Sequence, residues 1–381
     1  MTSSDQPPAP DRLPDLLEEI ETVDERGEVE TVDERGHDEI VACLDRLRAA
    51  DTDTRKRTLR AVRDVAADRS RAFERLATPL AAFLTDDERA VRLTTAKLFV
   101  TLAESEPSVV VPVVDTLADR LADEEAFYYV RARCAEALGY VAVESPETVA
   151  DPETVADLRV GLSFDEPAVR EKLAKALAYV ALGDPSRLRH HVASLGDQFT
   201  DDDELVRYHL CTAVTVVGCR HPAALADATD ALRERLTDEN PYVRGRAAEA
   251  LALLARTKGS VSSPRDGSSD SSPRDGSSES SQRDSSTGDT AVERVPDLDD
   301  VPATEESPQF LTDRLQFLRG ALGDERSATP TDGVGTVASI RERTDEVVTE
   351  LTTPDADGCP HCGLDVPETA PPLCPRCGSP L

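Results

Sequence analysis

A chain of 381 residues with 39% hydrophobic but only 4% aromatic content, and no Trp, must build its core from Ala, Val and Leu. That suits closely stacked helices and argues against a sandwich or barrel. A formal net charge of -32, from 75 acidic against 43 basic residues, lacks the basic footprint that nonspecific nucleic-acid binding needs, and no apolar run approaches the roughly 18 residues of a membrane span.

Residues 1–36 read as an acidic leader with a short helix at 11–22. Its opening, MTSSDQPPAPDRLPDLLEEI, has neither the basic nor the apolar region of a signal peptide. A tandem duplication follows, ETVDERGEV then ETVDERGHD. Residues 38–50, DEIVACLDRLRAA, predict a helix that caps what comes next.

From residue 51 a pattern recurs: an acidic turn, then Val-Arg, then an Ala-rich helix. The copies are DDERAVRLTTAKLF (86–99), DEEAFYYVRARCAEAL (123–138), DEPAVREKLAKAL (165–177), DDDELVRYHLCTAV (201–214) and DENPYVRGRAAEAL (238–251), with a weaker one at 52–62. The arginines are Arg55, Arg92, Arg131, Arg170, Arg207 and Arg244, spaced 37 to 39 residues apart. Fixed-period self-similarity of this kind marks stacked supersecondary units. Acidic residues at the helix start cap free N–H groups and favour the positive dipole end. The Val before each Arg, and the residues four and seven after it, share one helical face. Each Arg stem can lie along the core while its fork reaches an acid in a neighbouring turn. A second amphipathic stretch follows each first helix, as in EPSVVVPVVDTLADRLAD (106–123) and HPAALADATDALRERLTD (221–238). The predicted fold is all-α, an α-solenoid of about six helical hairpins.

The repeats at 51–256 resemble HEAT repeats of the short kind first grouped with phycobilin lyases. The resemblance implies a solenoid over 37–256 that serves as an interaction scaffold; a few such proteins are enzymes. Deoxyhypusine hydroxylase, an enzyme of similar repeats, holds iron through recurring His-Glu pairs, and no His-Glu pair occurs in this sequence.

Residues 257–306 are Ser-, Asp- and Arg-rich and carry almost nothing apolar, the composition of a disordered insertion. SPQFLTDRLQFLRGALGDE (307–325) then aligns without gaps to HPAALADATDALRERLTDE (221–239). This predicts a split sixth repeat, with its first helix at 241–256 and its second at 307–322. A last helix at 335–352, apolar at Val337, Ile340, Val347, Val348 and Leu351, is expected to cap the solenoid, so that 307–352 completes it.

Residues 355–381 contain Cys359, Cys362, Cys374 and Cys377 as two CPxCG turns. Such turns aim paired thiolates at one point, and two of them make a tetrahedral S4 site that must itself hold so short a segment together. The segment resembles a zinc ribbon, which implies structural Zn2+. Its turns also resemble those of rubredoxin, which holds iron, but the aromatic residues usually packed round that iron are missing. The other cysteines, Cys43, Cys134, Cys211 and Cys219, are scattered singly like small buried hydrophobes, which fits a reducing cytoplasm. The dispersed acidic charge, with only five Lys, resembles proteins of extremely halophilic archaea.

Two local features are candidate partner surfaces. Arg187, Arg189, His190 and His191 form a basic cluster on a second helix, where they can meet an acidic ligand or lie on a solvated face. Phe127, Tyr128 and Tyr129 concentrate aromatic surface just before a Val-Arg, as an exposed anchor or a buried plug between repeats. The resulting reading is a non-enzymatic scaffold whose solenoid groove binds a protein partner and whose ribbon is a second contact module. A nucleic-acid-associated factor acting through the ribbon, and an enzyme with a groove site, are the alternatives.

Overall fold

The computed structural model describes residues 9–19, 34–260, 301–303, 307–323 and 334–352, and among these every regular element is a helix. Of the insertion expected at 257–306, residues 257–260 instead continue the helix that starts at Pro241, while 261–300 and 304–306, like all four ribbon cysteines, lie outside the described residues. Helices α1 (Leu13–Glu18) and α2 (Glu34–Arg48) come first. Leu13, Leu16 and Leu17 of α1 are buried, and α1 packs on α2 and on the next helix, so the leader seals the first repeat.

The repeats alternate a long helix with a broken segment. In chain order they are α3 (Thr52–Asp68), α4 (Ala77–Ala81), α5 (Arg89–Ser105), α6 (Val114–Ala122), α7 (Tyr128–Glu144), α8 (Pro146–Val149), α9 (Pro152–Val160), α10 (Pro167–Gly183), α11 (Val192–Gly196), α12 (Glu204–Arg220), α13 (Thr229–Glu234) and α14 (Pro241–Ser260). Helices α15 (Gln309–Leu322) and α16 (Val337–Thr352) follow. The Val-Arg segments form the long helices α3, α5, α7, α10, α12 and α14, which stack side by side. Between them the chain breaks into short α and 3-10 turns, because Pro107, Pro112, Pro146, Pro185 and Pro222 start turns but cannot continue a helical ladder. Small residues set the spacing of the long row: a Cβ on Gly139 of α7 would lie 2.8 Å from the Ala176 Cα of α10.

The Arg ladder is a structural joint. Arg170 grips Asp201 with Nε and Nη2 at 2.6 and 2.9 Å, and Arg207 grips Asp238 at 2.9 and 3.0 Å. Arg55 pairs with Asp86 at 3.0 Å. Arg92, Arg131 and Arg244 instead reach backbone carbonyls of the segment before their own helix. The acidic turn residues do more than cap. Asp86, Asp201 and Asp238 each accept the amide two residues on, which shapes the turn, while also holding the preceding repeat's Arg.

Two expectations about the C-terminal part are corrected. Helix α15 does dock on α14, burying Phe310, Leu311, Leu315, Phe317 and Leu318, while Leu322 stays half-exposed. Yet Phe310 lies on Gly245, Arg314 bonds Glu249, and the guanidinium of Arg256 sits over the Phe317 ring. These contacts advance together, so α15 runs parallel to α14 and takes the next place in the long-helix row. A second helix of the same hairpin would run antiparallel. The alignment to 221–239 missed this because both helix types show the same spacing of Leu; the buried Arg314 decides the slot by finding Glu249. Helix α16 does not cap an open end. It turns back over the long row, where Tyr179 donates to Asp345 at 2.6 Å, Arg341 pairs with Glu144 at 3.6 Å and Tyr242 donates to Glu350.

Candidate functional site

The residues two, five and nine positions after each ladder Arg point away from the short segments. On α5 the first two are Thr94 and Lys97, on α7 Arg133 and Glu136, on α10 Lys172 and Lys175, on α12 His209 and Thr212, and on α14 Arg246 and Glu249. The third is Tyr140 on α7 and Tyr179 on α10. Of these, Lys97, Arg133, Glu136, Tyr140, Lys172, Lys175 and Tyr179 line a groove along the long helices, while Thr94, His209, Thr212, Arg246 and Glu249 are buried. Helix α16 lies over α12 and reaches Tyr179 of α10 and Glu144 of α7, and between Val348 and Thr352 of α16 and the middle of α5, α7 and α10 the groove is open.

The open part is a pocket of about 480 Å³, within the range of small-ligand sites. Its centre is Glu136, which accepts from Arg133 at 2.6 Å and faces Lys175 at 3.4 Å and Lys172 at 3.5 Å. Burial would raise the Glu136 carboxyl, but the cations Lys172, Arg133 and Lys175 hold it far below the ordinary range. Burial opposes the charge on Lys175 too, and Glu136 overrides it, so its ammonium is held above the usual value. Lys175 also donates to the Tyr140 hydroxyl at 2.8 Å, and Tyr140 donates to Glu104 at 2.7 Å. Lys172 bonds Glu171 at 2.9 Å. The lining carries five cations, Arg63, Lys97, Arg133, Lys172 and Lys175, against three carboxylates, Glu104, Glu136 and Glu171. A second pocket of about 240 Å³ continues past Tyr140 to Tyr179, Arg341 and Asp345.

Beneath α16, His209 is fully buried, and neither ring nitrogen has a partner. Burial, with Lys175 nearby, lowers it to about 3, so the ring is neutral. The Thr212 hydroxyl one turn on is likewise buried and unpartnered.

The surfaces picked out from sequence fall elsewhere or at the edge. Arg187, Arg189, His190 and His191 lie in the short-segment row, and neither pocket includes them. The groove belongs to the long helices because those pack in register and present their polar rows together, whereas the short row is broken by Pro. Arg187 is held by Asp184 at 3.2 Å and the Ala150 carbonyl at 2.9 Å, and Arg189 donates to His190 at 2.8 Å. Phe127, Tyr128 and Tyr129 cluster with ring centroids 4.7 to 5.3 Å apart, and Arg89 sits 4.4 Å over Phe127. Tyr128 is exposed, while Tyr129 lines the pocket and donates to Glu166 at 2.9 Å. The pocket cluster itself was missed. The signal was available: Lys97 and Lys175 both fall five residues after a ladder Arg and Lys172 two after, and these are three of the chain's five Lys.

Residues 192–266, a stretch that takes in α11 through α14, match the family of HEAT repeats. No curated protein matches the chain. Among solved structures, an engineered protein is similar at 21% identity over 55% of this chain and 96% of its own, with TM-score 0.49. A designed armadillo repeat protein in complex with the peptide (KR)4 is 16% identical over 64% of this chain and 99% of its own, TM-score 0.45. Uso1-2 is 14% identical over 67% and 53% of the two chains, also at TM-score 0.45. No helix among the described residues is long and apolar enough to cross a membrane.

Proposed function

We propose that this protein is an interaction scaffold whose groove binds a protein partner. The observation that supports this most is the pocketed groove along stacked helices, lined by polar and charged side chains. In HEAT-type stacks such a face is the extended surface available to a partner. On this reading the repeats are of the short kind grouped with phycobilin lyases, and the chain works in a salt-rich cytoplasm where its acidic surface is screened. The CPxCG turns form a structural zinc ribbon through Cys359, Cys362, Cys374 and Cys377, as a second contact module tethered beyond α16.

The test is comparative capture from high-salt lysate with three baits: the native chain, Lys97→Gln with Lys172→Gln, and Cys359→Ser with Cys362→Ser. A partner kept by the native chain and lost by the first variant supports the groove. Identical protein sets on all three folded baits overturn the reading.

A further inference from the structure

In a chain of net charge -32, a concave lining drawn at random from the surface is expected to be acidic. The open half of the groove is the reverse, with five cations to three carboxylates. It gathers three of the five Lys onto α5 and α10, which flank α7 and its Arg133. One carboxylate, Glu136, could be neutralised by Arg133 alone at 2.6 Å, yet Lys172 and Lys175 also converge on it. Glu171 accounts for Lys172 only in part. Asp64, just outside the lining, pairs with Arg63 at 3.4 Å, and the carbonyl end of α16, at Val348 and Thr352, contributes one partly negative wall, so the cations that remain are Lys97, Arg133, Lys172 and Lys175 against three carboxylates. Tyr129 and Tyr140 add apolar faces beside the cations. We infer that the open half of the groove is a docking site for an acidic peptide segment, whose carboxylates meet Lys97, Arg133, Lys172 and Lys175.

The inference rests on the scaffold reading and adds the partner's chemistry. A peptide fits better than a polyanion such as nucleic acid. The gathering of cations is a property of the pocket lining, whereas the chain as a whole carries a net charge of -32 and repels a long run of phosphates. A segment with a few carboxylates places its charge inside and little of it outside. Half-buried lysines also suit the role, since they are screened less by salt than exposed ones.

The probe is a short fluorescent poly-glutamate peptide, titrated into the full chain at the lowest salt that keeps it folded by circular dichroism. Saturable binding is expected, weakening by about tenfold or more in the Lys97→Gln, Lys172→Gln double variant. Because that variant can lose its fold, a second readout uses the native chain. Lysine acylation followed by mass spectrometry should show Lys97 and Lys172 protected by the peptide and Lys56, on α3, unprotected. Absence of binding, unchanged affinity in the folded double variant, or no protection of Lys97 and Lys172 would overturn the proposal. So would equal binding of a poly-lysine peptide or a single-stranded oligonucleotide, or displacement of the peptide by inorganic phosphate at matched concentration. If lysate capture still finds a groove partner while poly-glutamate fails, the scaffold reading stands and the acidic-peptide assignment falls.

Discussion

Arg314 donates through Nε to Glu249 at 2.9 Å, and neither side chain has any exposed surface. Arg246 donates to the same carboxylate oxygen at 2.8 Å, and the Gly335 amide to the other at 2.7 Å. Glu249 therefore ties together α14, α15 and the entry to α16, segments separated by long stretches of sequence. Burial works against the Glu249 charge, and Arg246 and Arg314 together hold its carboxyl below the usual range. Glu249→Gln should cost about 3–5 kcal/mol, since it leaves two buried guanidiniums without an anion. Arg314→Met keeps the Arg246 pair and should fall within about 2 kcal/mol of the native chain. Denaturant midpoints of the two variants decide it; equal midpoints would show that Glu249 is no lock.

The parallel placement of α15 makes a prediction about the connection. Phe310 lies beside Gly245, so a connection that starts after Thr257, within the last turn of α14, must return about 18 Å along the helix axis. A Gly-Ser dipeptide in place of 258–307 spans only about 11 Å and should tear α15 away. A flexible linker of about 15 residues should keep it docked, because lengthening a loop tenfold costs only about 2 kcal/mol. Several buried side chains at about 1.5–3 kcal/mol each outweigh that. Truncation at Arg256 should lower the unfolding midpoint of the remaining repeats for the same reason. An intact fold with the dipeptide would restore the antiparallel hairpin.

His209 predicts the response to acid. It is neutral in the folded chain, lowered by burial and by Lys175 from the usual 6.5 to about 3. The unfolded chain takes up a proton below about pH 6.5 and the folded chain does not until about pH 3. Stability tied to this residue is thus intact above pH 6.5 and lost as pH falls between those values, by about 1.4 kcal/mol per unit. Replacing it, as in His209→Leu, should remove about 2 kcal/mol of the loss between pH 7 and pH 5. Glu136 and Glu171 stay ionised across this window and do not mask it, since both carboxyls are held low by Lys172 despite burial. Urea midpoints of both chains at the two pH values make the measurement, and parallel losses would refute it.

The repeat itself was legible because its determinants are local. Each Val-Arg fixes a helix face, and each acidic turn fixes a corner, within one period of the sequence. The same locality explains the errors. Whether α15 enters the long row or the short one depends on Arg314 meeting Glu249, and no spacing within 307–325 carries that information. The return of α16 over the groove likewise depends on Tyr179, Tyr242 and Glu144, which lie in three different helices. The basic cluster at 187–191 stood out because its charges are contiguous. The pocket lysines did not, because a groove collects one or two residues from each repeat. Aligning the copies and scanning columns for rare residues finds Lys97, Lys172 and Lys175 at once.

The C-terminal cysteines predict a metal dependence separable from the solenoid. The purified chain should carry one zinc ion, lost in Cys359→Ser with Cys362→Ser, since two thiolates cannot complete an S4 site. The helical signal and midpoint of the repeats should survive that loss, because among the described residues the stacked helices supply a continuous core of their own. Elemental analysis with thiol titration tests both. A metal-free native chain with four freely reactive C-terminal thiols would refute the site, and iron in place of zinc would change the metal but not the ligands.

Two glycines should respond to the same substitution with opposite sign. Gly139 sits where α7 crosses closest to α10, and an added Cβ would stand 2.8 Å from the Ala176 Cα and 3.2 Å from its Cβ. Backbone cannot swing aside as a long side chain can, so the two helices must part. Gly139→Ala should cost about 1–3 kcal/mol, the range for overpacking a filled core. Because Lys175 and Glu136 bridge the same pair of helices one turn earlier, poly-glutamate affinity should shift as well. Gly320 lies inside α15 with nothing within 4 Å of where its Cβ would be. Gly320→Ala should gain up to about 1 kcal/mol from helix propensity alone. If α15 were not a docked helix, that gain would not reach the global midpoint. Opposite shifts in the two midpoints therefore report on both the tight long-row stacking and the place of α15 at its end.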